Sequence, residues 1–187
     1  MPLDTTPLDI PGLLVLRPER HEDARGSFTE IFTRKGHAEV GIEHVFVQDN
    51  LVHTHQSNVI RGLHYQAPPH AQGKLVCVIR GAILDVALDI RHGSPTFGRH
   101  AAVELSDANG RQLWIPPGFA HGYCTLEPDT VVLYKVTAAY APRSEHTIAW
   151  NDPDLAIDWP AMGGSPTLSE RDARAPRLKD LPVHFTI

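Results

Sequence analysis

Apolar runs of strand length, rather than helix length, recur along this chain between clusters of turn-forming residues. The pattern predicts strands at 13–16, 27–33, 44–48, 59–65, 73–80, 82–91, 99–105, 112–115, 122–126 and 131–137. In the second of these, Phe28 and Phe32 recur at even spacing, as residues on one face of a strand do. Turn signals punctuate the series at Asp23-Ala24-Arg25-Gly26, Ala67-Pro68-Pro69, Arg80-Gly81, Gly93-Ser94-Pro95, Asp107-Ala108-Asn109-Gly110 and Glu127-Pro128-Asp129. Asn109-Gly110 is the strongest hairpin signal, because both residues tolerate positive φ. The stretch 84–90 alternates only in part. It reads as a strand buried in places on both faces, with Asp85 and Asp89 on one of them.

Two short helices interrupt the pattern. One is predicted at 34–40 and one near 169–175, where Ser169 is a plausible N-cap with Asp172 at the third helical position. From Tyr140 onward the chain is broken by Pro142, Pro153, Pro160, Pro166, Pro176 and Pro182. This tail is expected to wrap the rest. So many short strands at this spacing indicate an all-β sandwich or barrel. The expectation is one domain over 1–187, with an irregular C-terminal wrap from about residue 140.

Composition narrows the class without naming a function. A chain of 187 residues suits one domain that buries roughly 70% of its unfolded surface. With 14 glycines and 16 prolines the chain favours turns over long helices. The net charge of −5 argues against a general nucleic-acid or membrane surface, yet leaves room for a local basic pocket. Cys77 and Cys124 are the only cysteines and make no CxxC, so a reduced, cytoplasmic setting is expected. The first dozen or so residues lack the regions of a signal peptide, and no apolar run approaches ~18 residues. No GxGxxG fingerprint for a dinucleotide is present.

The chemistry concentrates around Ile60-Arg61-Gly62-Leu63-His64-Tyr65-Gln66 and the following Lys74. These put a base, a guanidinium and an ammonium on neighbouring predicted strands. Such a set suits taking a proton from a carbon beside a carbonyl and holding the resulting oxyanion.

Gly110, Pro116, Gly118 and His121 match the second motif of the cupins, a jelly-roll family, in which glycines and proline serve tight turns around a strand. The first cupin motif supplies His-X-His and a glutamate to a metal. Here the corresponding stretch is His64-Tyr65-Gln66, so His64 and His121 alone do not complete a metal site. His53-Thr54-His55 is an alternative His-X-His pair. The residues before it lack the expected spacing, and it reads as structural or solvent-facing.

A closer resemblance lies in motifs that occur in one order. They are Phe46-Val47-Gln48-Asp49-Asn50, Arg61-Gly62-Leu63-His64-Tyr65-Gln66, Ala71-Gln72-Gly73-Lys74-Leu75-Val76, Asp85 to Arg91, and Ser94-Pro95-Thr96-Phe97-Gly98. Trp114 to Gly122, Tyr134-Lys135 and Trp150-Asn151-Asp152-Pro153 complete the series. Together they resemble the dTDP-4-dehydrorhamnose 3,5-epimerase family from about residue 25 to about residue 176. The resemblance implies a cupin-type jelly roll with a few short peripheral helices. It also implies an isomerase that needs no metal or other cofactor and inverts dTDP-4-dehydro-6-deoxy-D-glucose at C3 and C5 to dTDP-4-dehydro-L-rhamnose.

By the same resemblance His64 is the base and Asp172, in Leu168-Ser169-Glu170-Arg171-Asp172, orients it. Tyr134 is the acid on the opposite face of the sugar, and Lys74 stabilises the enolate at the C4 oxygen. Arg25, Glu30, Gln48, Asn50, Arg61, His121, Glu145 and Arg171 are implied in binding, with Tyr140 stacking on thymine. The implied partners are the dTDP-sugar and a second copy of the chain. The homodimer would exchange strands and place Arg25 and Glu30 in the neighbouring site.

Two positions depart from the family wording. Leu51-Val52-His53 stands where His-Ser is common, and Tyr123 stands where phenylalanine is usual, adding a hydroxyl that needs a partner if buried. Three competing readings share parts of this pattern: an epimerase of one carbon only, a metal-dependent cupin dioxygenase held by His64 and His121, and a non-catalytic sugar-nucleotide binder.

Overall fold

The computed structural model describes residues 3–187. In chain order its strands are β1 (Asp4–Pro7), β2 (Leu14–Arg17), β3 (Arg20–Asp23), β4 (Gly26–Thr29), β5 (Gln48–Thr54), β6 (Ile60–Gln66), β7 (Lys74–Arg80) and β8 (Ala82–Asp89). They continue with β9 (Arg91–His92), β10 (His100–Ser106), β11 (Gln112–Ile115), β12 (Phe119–Thr125), β13 (Thr130–Val136), β14 (Glu145–Thr147) and β15 (Phe185–Thr186). Helix α1 (Arg34–Glu39) precedes β5, and α2 (Glu170–Ala173) lies in the tail. Two sheets face each other. One has the order β1-β2-β11-β7-β13-β5 and the other β10-β8-β12-β6-β14, with neighbours antiparallel. This is the cupin-like jelly roll expected of the sequence.

Alternation decides what each face meets. On β7, Val76 and Val78 turn inward and join Ile83, Ala87, Leu105, Leu113, Ile115, Phe119, Tyr123 and Val132 in a core that fills part of the space between the sheets. Leu63, Tyr65, Val86, Leu88, Ile90 and Ala120 face outward from the second sheet. Leu155, Trp159, Leu178, Leu181 and Phe185, from the proline-rich tail, cover them. On the outside of the first sheet Leu16, Leu75 and Trp114 pack with Ile42, Phe32 and Phe46 near α1.

Several boundaries differ from the sequence pattern. The expected strand at 44–48 is an irregular approach over residues 42–47, and β5 begins only at Gln48. The expected strand at 27–33 stops at Thr29. Phe28 is exposed whereas Phe32 packs on Phe46 and His37, so the two do not share a face. The Asn109-Gly110 turn is not a hairpin: β10 lies in the second sheet and β11 in the first. There the Asn109 side-chain oxygen accepts from Ser106 N and Arg111 N, and Gly110 N–H donates to Ser106 O, folding a corner between sheets. β1, β14, β9 and β15 are short strands that the apolar pattern did not announce.

Candidate active site

One end of the space between the sheets is polar, and each wall supplies reactive groups at alternate positions. β6 carries His64, β12 carries His121, and β8 carries Asp85. From the opposite sheet come Lys74 on β7, Tyr134 on β13, and Gln48 and Asn50 on β5. His121 is the register partner of His64. That pairing depends on close backbone approach: a Cβ on Gly62 (φ +120°) would fall 2.6 Å from Gly122 Cα and 2.7 Å from His121 O. Next to this contact the β12–β6 register shifts between His121 and Tyr123.

His64 Nε2 lies 2.7 Å from Asp172 Oδ1. Asp172 sits in α2, where Ser169 caps the helix and its Oγ accepts from Asp172 N at 3.1 Å. The predicted helix and cap are therefore present, with Asp172 at the third helical position. Burial pushes the Asp172 carboxyl up, but the hydrogen bond and charge of His64 and the Gly62 N–H outweigh it and hold it below the usual carboxylate value. The carboxylate thus stays charged behind the imidazole, which is 29% exposed towards the space between the sheets.

Lys74 is buried and shared. Its Nζ donates to His64 O and approaches His121 Nδ1, both at 3.4 Å. Burial depresses the ammonium to about 8, opposed by the charges of Asp85 and Glu145. His121 makes a second dyad, with Nε2 2.7 Å from Asp85 Oδ1, and burial lowers its pKa. Sequence reasoning placed Asp85 and Asp89 on one face but assigned Asp85 no partner. The signal available was an acid at an inward position of an otherwise apolar strand. Asp89 instead binds Arg91, Ser94 and Thr96 at the strand end.

Tyr134 is half-buried, and burial raises its phenol above the usual value while the Arg61 charge lowers it. Arg61 is the register partner of Tyr123, whose phenol burial pushes up while the same guanidinium charge lowers it. Tyr123 is buried, and its hydroxyl has no hydrogen-bond partner among the described residues. Thr54 Oγ1 and Asp85 Oδ2 share that condition.

At the mouth, Glu145 on β14 binds Arg171 of α2 and receives the Tyr140 hydroxyl at 2.8 Å; Arg171 Nε donates to Thr147 Oγ1 at 2.7 Å. Burial raises the Glu145 carboxyl, but the hydrogen bonds from Arg171 and Tyr140 hold it below the usual value. Tyr140 itself is 56% exposed, with its ring open to solvent. Three glutamines fix the segment that carries it. Gln48 Oε1 accepts from Tyr140 N, Gln72 donates to Ala138 O, and Gln66 donates to Ala139 O and His70 O while accepting from Ala141 N. Gln48 also donates to Asn50 Oδ1. Gln66 and Gln72 were not singled out as functional in the sequence; Gln66, in place of a cupin metal histidine, latches this loop.

Not all expected residues converge. Arg25 lies at the tip of the β3–β4 hairpin, almost fully exposed and paired with Asp23, and Glu30 is exposed just beyond it. Within one chain neither joins His64. His53 and His55 point away from this site and meet Asp129.

Residues 7–180 match the family model for dTDP-4-dehydrorhamnose 3,5-epimerase. A dTDP-4-dehydrorhamnose 3,5-epimerase of Sinorhizobium fredii is 48% identical over 182 residues, covering 95% of this chain and 91% of that protein. The crystal structure of a dTDP-6-deoxy-D-glucose-3,5-epimerase from Legionella pneumophila, in complex with dTDP-4-keto-L-rhamnose, superposes with a TM-score of 0.95 at 44% identity. It covers 99% of this chain and 98% of the other. A 3'-monoepimerase from Streptomyces bikiniensis, in complex with dTDP-quinovose, aligns at 35% identity with a TM-score of 0.87 over 92% and 87% of the two chains. Fold, ordered motifs and relatives agree: the chain belongs to the dTDP-4-dehydrorhamnose 3,5-epimerase family.

Proposed function

We propose that this protein is an isomerase that inverts dTDP-4-dehydro-6-deoxy-D-glucose at C3 and C5, giving dTDP-4-dehydro-L-rhamnose by acid–base chemistry alone. The observation that carries this reading is the His64–Asp172 contact of 2.7 Å beside the buried Lys74 ammonium. His64 takes the proton from the carbon next to the ketone through Nδ1, the nitrogen that Asp172 leaves free. The electron pair of that C–H bond moves into an enolate whose charge rests on the C4 oxygen. Lys74 stabilises this charge, and Asp172 stabilises the imidazolium that forms. Tyr134, from the opposite sheet, returns a proton to the other face of the carbon. Proton exchange with solvent returns His64 to the neutral imidazole and Tyr134 to the phenol, and repetition on the far side of the ketone inverts the second centre.

Arg61, His121, Gln48 and Asn50 hold the sugar, while Glu145, Arg171 and the open face of Tyr140 hold the nucleotide. The donor set suits this chemistry better than a dioxygenase metal. Gln66 replaces one imidazole of the cupin set, both remaining imidazoles are bound by carboxylates, and an ammonium lies against His121. A divalent ion would meet that positive charge.

The acting unit in this reading is a single-domain homodimer in the cytoplasm. Among the described residues the β3–β4 hairpin pairs only with itself; it exposes Phe28 and Arg25, and edge strand β5 exposes Leu51. A second copy covering them brings Arg25 and Glu30 to its neighbour's site. Buried, unpaired Cys77 and Cys124 fit a reducing compartment. The test is turnover of the 4-keto sugar nucleotide. Wild type converts it, His64→Ala and Tyr134→Phe do not, and mixed dimers of His64→Ala with Arg25→Ala regain activity. Full turnover by either catalytic variant contradicts the roles of base and acid assigned to His64 and Tyr134.

A further inference from the structure

At the far end of β5 two imidazoles and a carboxylate converge outside the barrel. Gln48, Asn50 and Thr54 alternate inward along this strand, so His53 faces out, and His55 follows on the same side. His53 Nε2 lies 3.3 Å from Asp129 Oδ1, and His55 Nδ1 lies 3.4 Å from the same oxygen. The three donor atoms fall within 4.8 Å of one another, and the two rings are 4.4 Å apart.

The carboxylate is held in place by the backbone. Asp129 ends the β12–β13 turn in the left-handed region (φ 52°), its N–H donates to His55 O at 3.2 Å, and the next residue, Thr130, pairs with Thr54. The turn is therefore tied to the strand end that carries both histidines.

Without an ion, His55 Nδ1 hydrogen-bonds the carboxylate and His53 Nε2 pairs with it, both at the long end of the range. The same two separations match the edge of a metal tetrahedron: bonds of about 2.0–2.2 Å set neighbouring donors about 3.3–3.6 Å apart. We propose that His53, His55 and Asp129 bind one divalent transition-metal ion of the zinc, cobalt, nickel and copper class, outside the reaction centre. Two imidazoles with one carboxylate select such ions over magnesium or calcium. The fourth position is open to water. Arg80 acts on Asp129 and limits the affinity. The ion clips the end of edge strand β5 to the turn between β12 and β13.

The test uses untagged, metal-stripped protein titrated with Co2+ by visible absorption and with Zn2+ by calorimetry. One ion binds per chain with Kd of about 10 μM or tighter. His55→Gln and Asp129→Asn each weaken it at least about tenfold, which is about 1.4 kcal/mol. Zinc raises the melting temperature of wild type but not of His55→Gln, and turnover stays within about twofold as a site remote from the reacting carbons requires. All three residues lie at the surface, so circular dichroism of the variants matches wild type. An isotherm that is unchanged in His55→Gln, or no saturation below about 100 μM, overturns the site. Turnover that falls in step with its occupancy overturns its placement outside the reaction centre.

Discussion

Asp172→Asn keeps the shape of the side chain behind His64 and removes its charge. The wild-type carboxylate is 4% exposed and 2.7 Å from His64 Nε2. A hydrogen bond to a charged group contributes about 1.5–3 kcal/mol, and loss of that much at the transition state slows the reaction about 10- to 150-fold. The tautomer adds to this. Gly62 N–H points at the second carboxylate oxygen at 3.5 Å. An asparagine that keeps its oxygen towards Gly62 turns its amide NH2 to His64, so Nε2 must accept and the proton moves to Nδ1. That is the nitrogen assigned to take the sugar proton. The flipped amide preserves the tautomer but sets two donors against each other at Gly62.

Together these effects lower kcat about 10²- to 10³-fold, within the span of general base catalysis. KM changes less than about threefold, because Asp172 acts through His64 rather than on the substrate. The assay is the initial rate of isomerisation read by NMR, with a pH profile and a thermal melt alongside. The sign in acid follows from the depressed carboxyl. Its contribution to stability is complete above the unfolded value, about pH 4, and is lost as pH falls through the lower folded value. The variant lacks that acid-dependent contribution. A kcat within about threefold of wild type, or a pH profile that does not move, refutes the dyad.

Lys74 sets an alkaline limb. Its ammonium is depressed to about 8, so kcat falls as pH rises through that value, and Lys74→Arg, whose guanidinium stays charged, is slower but loses the limb. The same limb persisting in Lys74→Arg assigns it to another group. Gln66→Ala frees the Ala139–Ala141 backbone, costs about 1–3 kcal/mol in a denaturant melt, and raises KM more than it lowers kcat. An unchanged KM and unchanged melt contradict the latch. Tyr123→Phe removes a buried hydroxyl with no partner among the described residues, so the melting temperature holds or rises. A fall of more than about 4 °C, or about 1 kcal/mol for a chain of this size, shows that the hydroxyl is bonded.

The sequence announced strands such as β7, β8 and β13 because burial, on both faces for much of β7 and β8, makes them apolar runs of strand length bounded by turn residues. It missed β5 for the opposite reason. Gln48, Asn50 and Thr54 face the polar site, so the strand reads as a loop, while Val45, Phe46 and Val47 just before it look like a strand but lie outside β5, although Val47 N–H donates to Val136 O of β13. The His64, Lys74, Tyr134 and Asp172 set was legible only through ordered motifs, since 108 residues separate His64 from its carboxylate. Asp85 and Gln66 were given no partner from the sequence, because those partners, His121 and the Ala139–Ala141 backbone, are set by strand register and loop path, which local spacing does not encode. The Asn109-Gly110 corner has the residues of a hairpin, but Asn109 caps Ser106 and Arg111 locally and sends β11 into the other sheet.

Incubation of the enzyme with dTDP-4-dehydro-6-deoxy-D-glucose in deuterated water, followed by NMR of the recovered sugar nucleotide, tests the double inversion most directly. Deuterium at both C3 and C5 of the product, and none with His64→Ala, is the outcome predicted from the His64–Asp172 dyad and Lys74. Label at only one of these carbons, or label retained in the His64 variant, contradicts it.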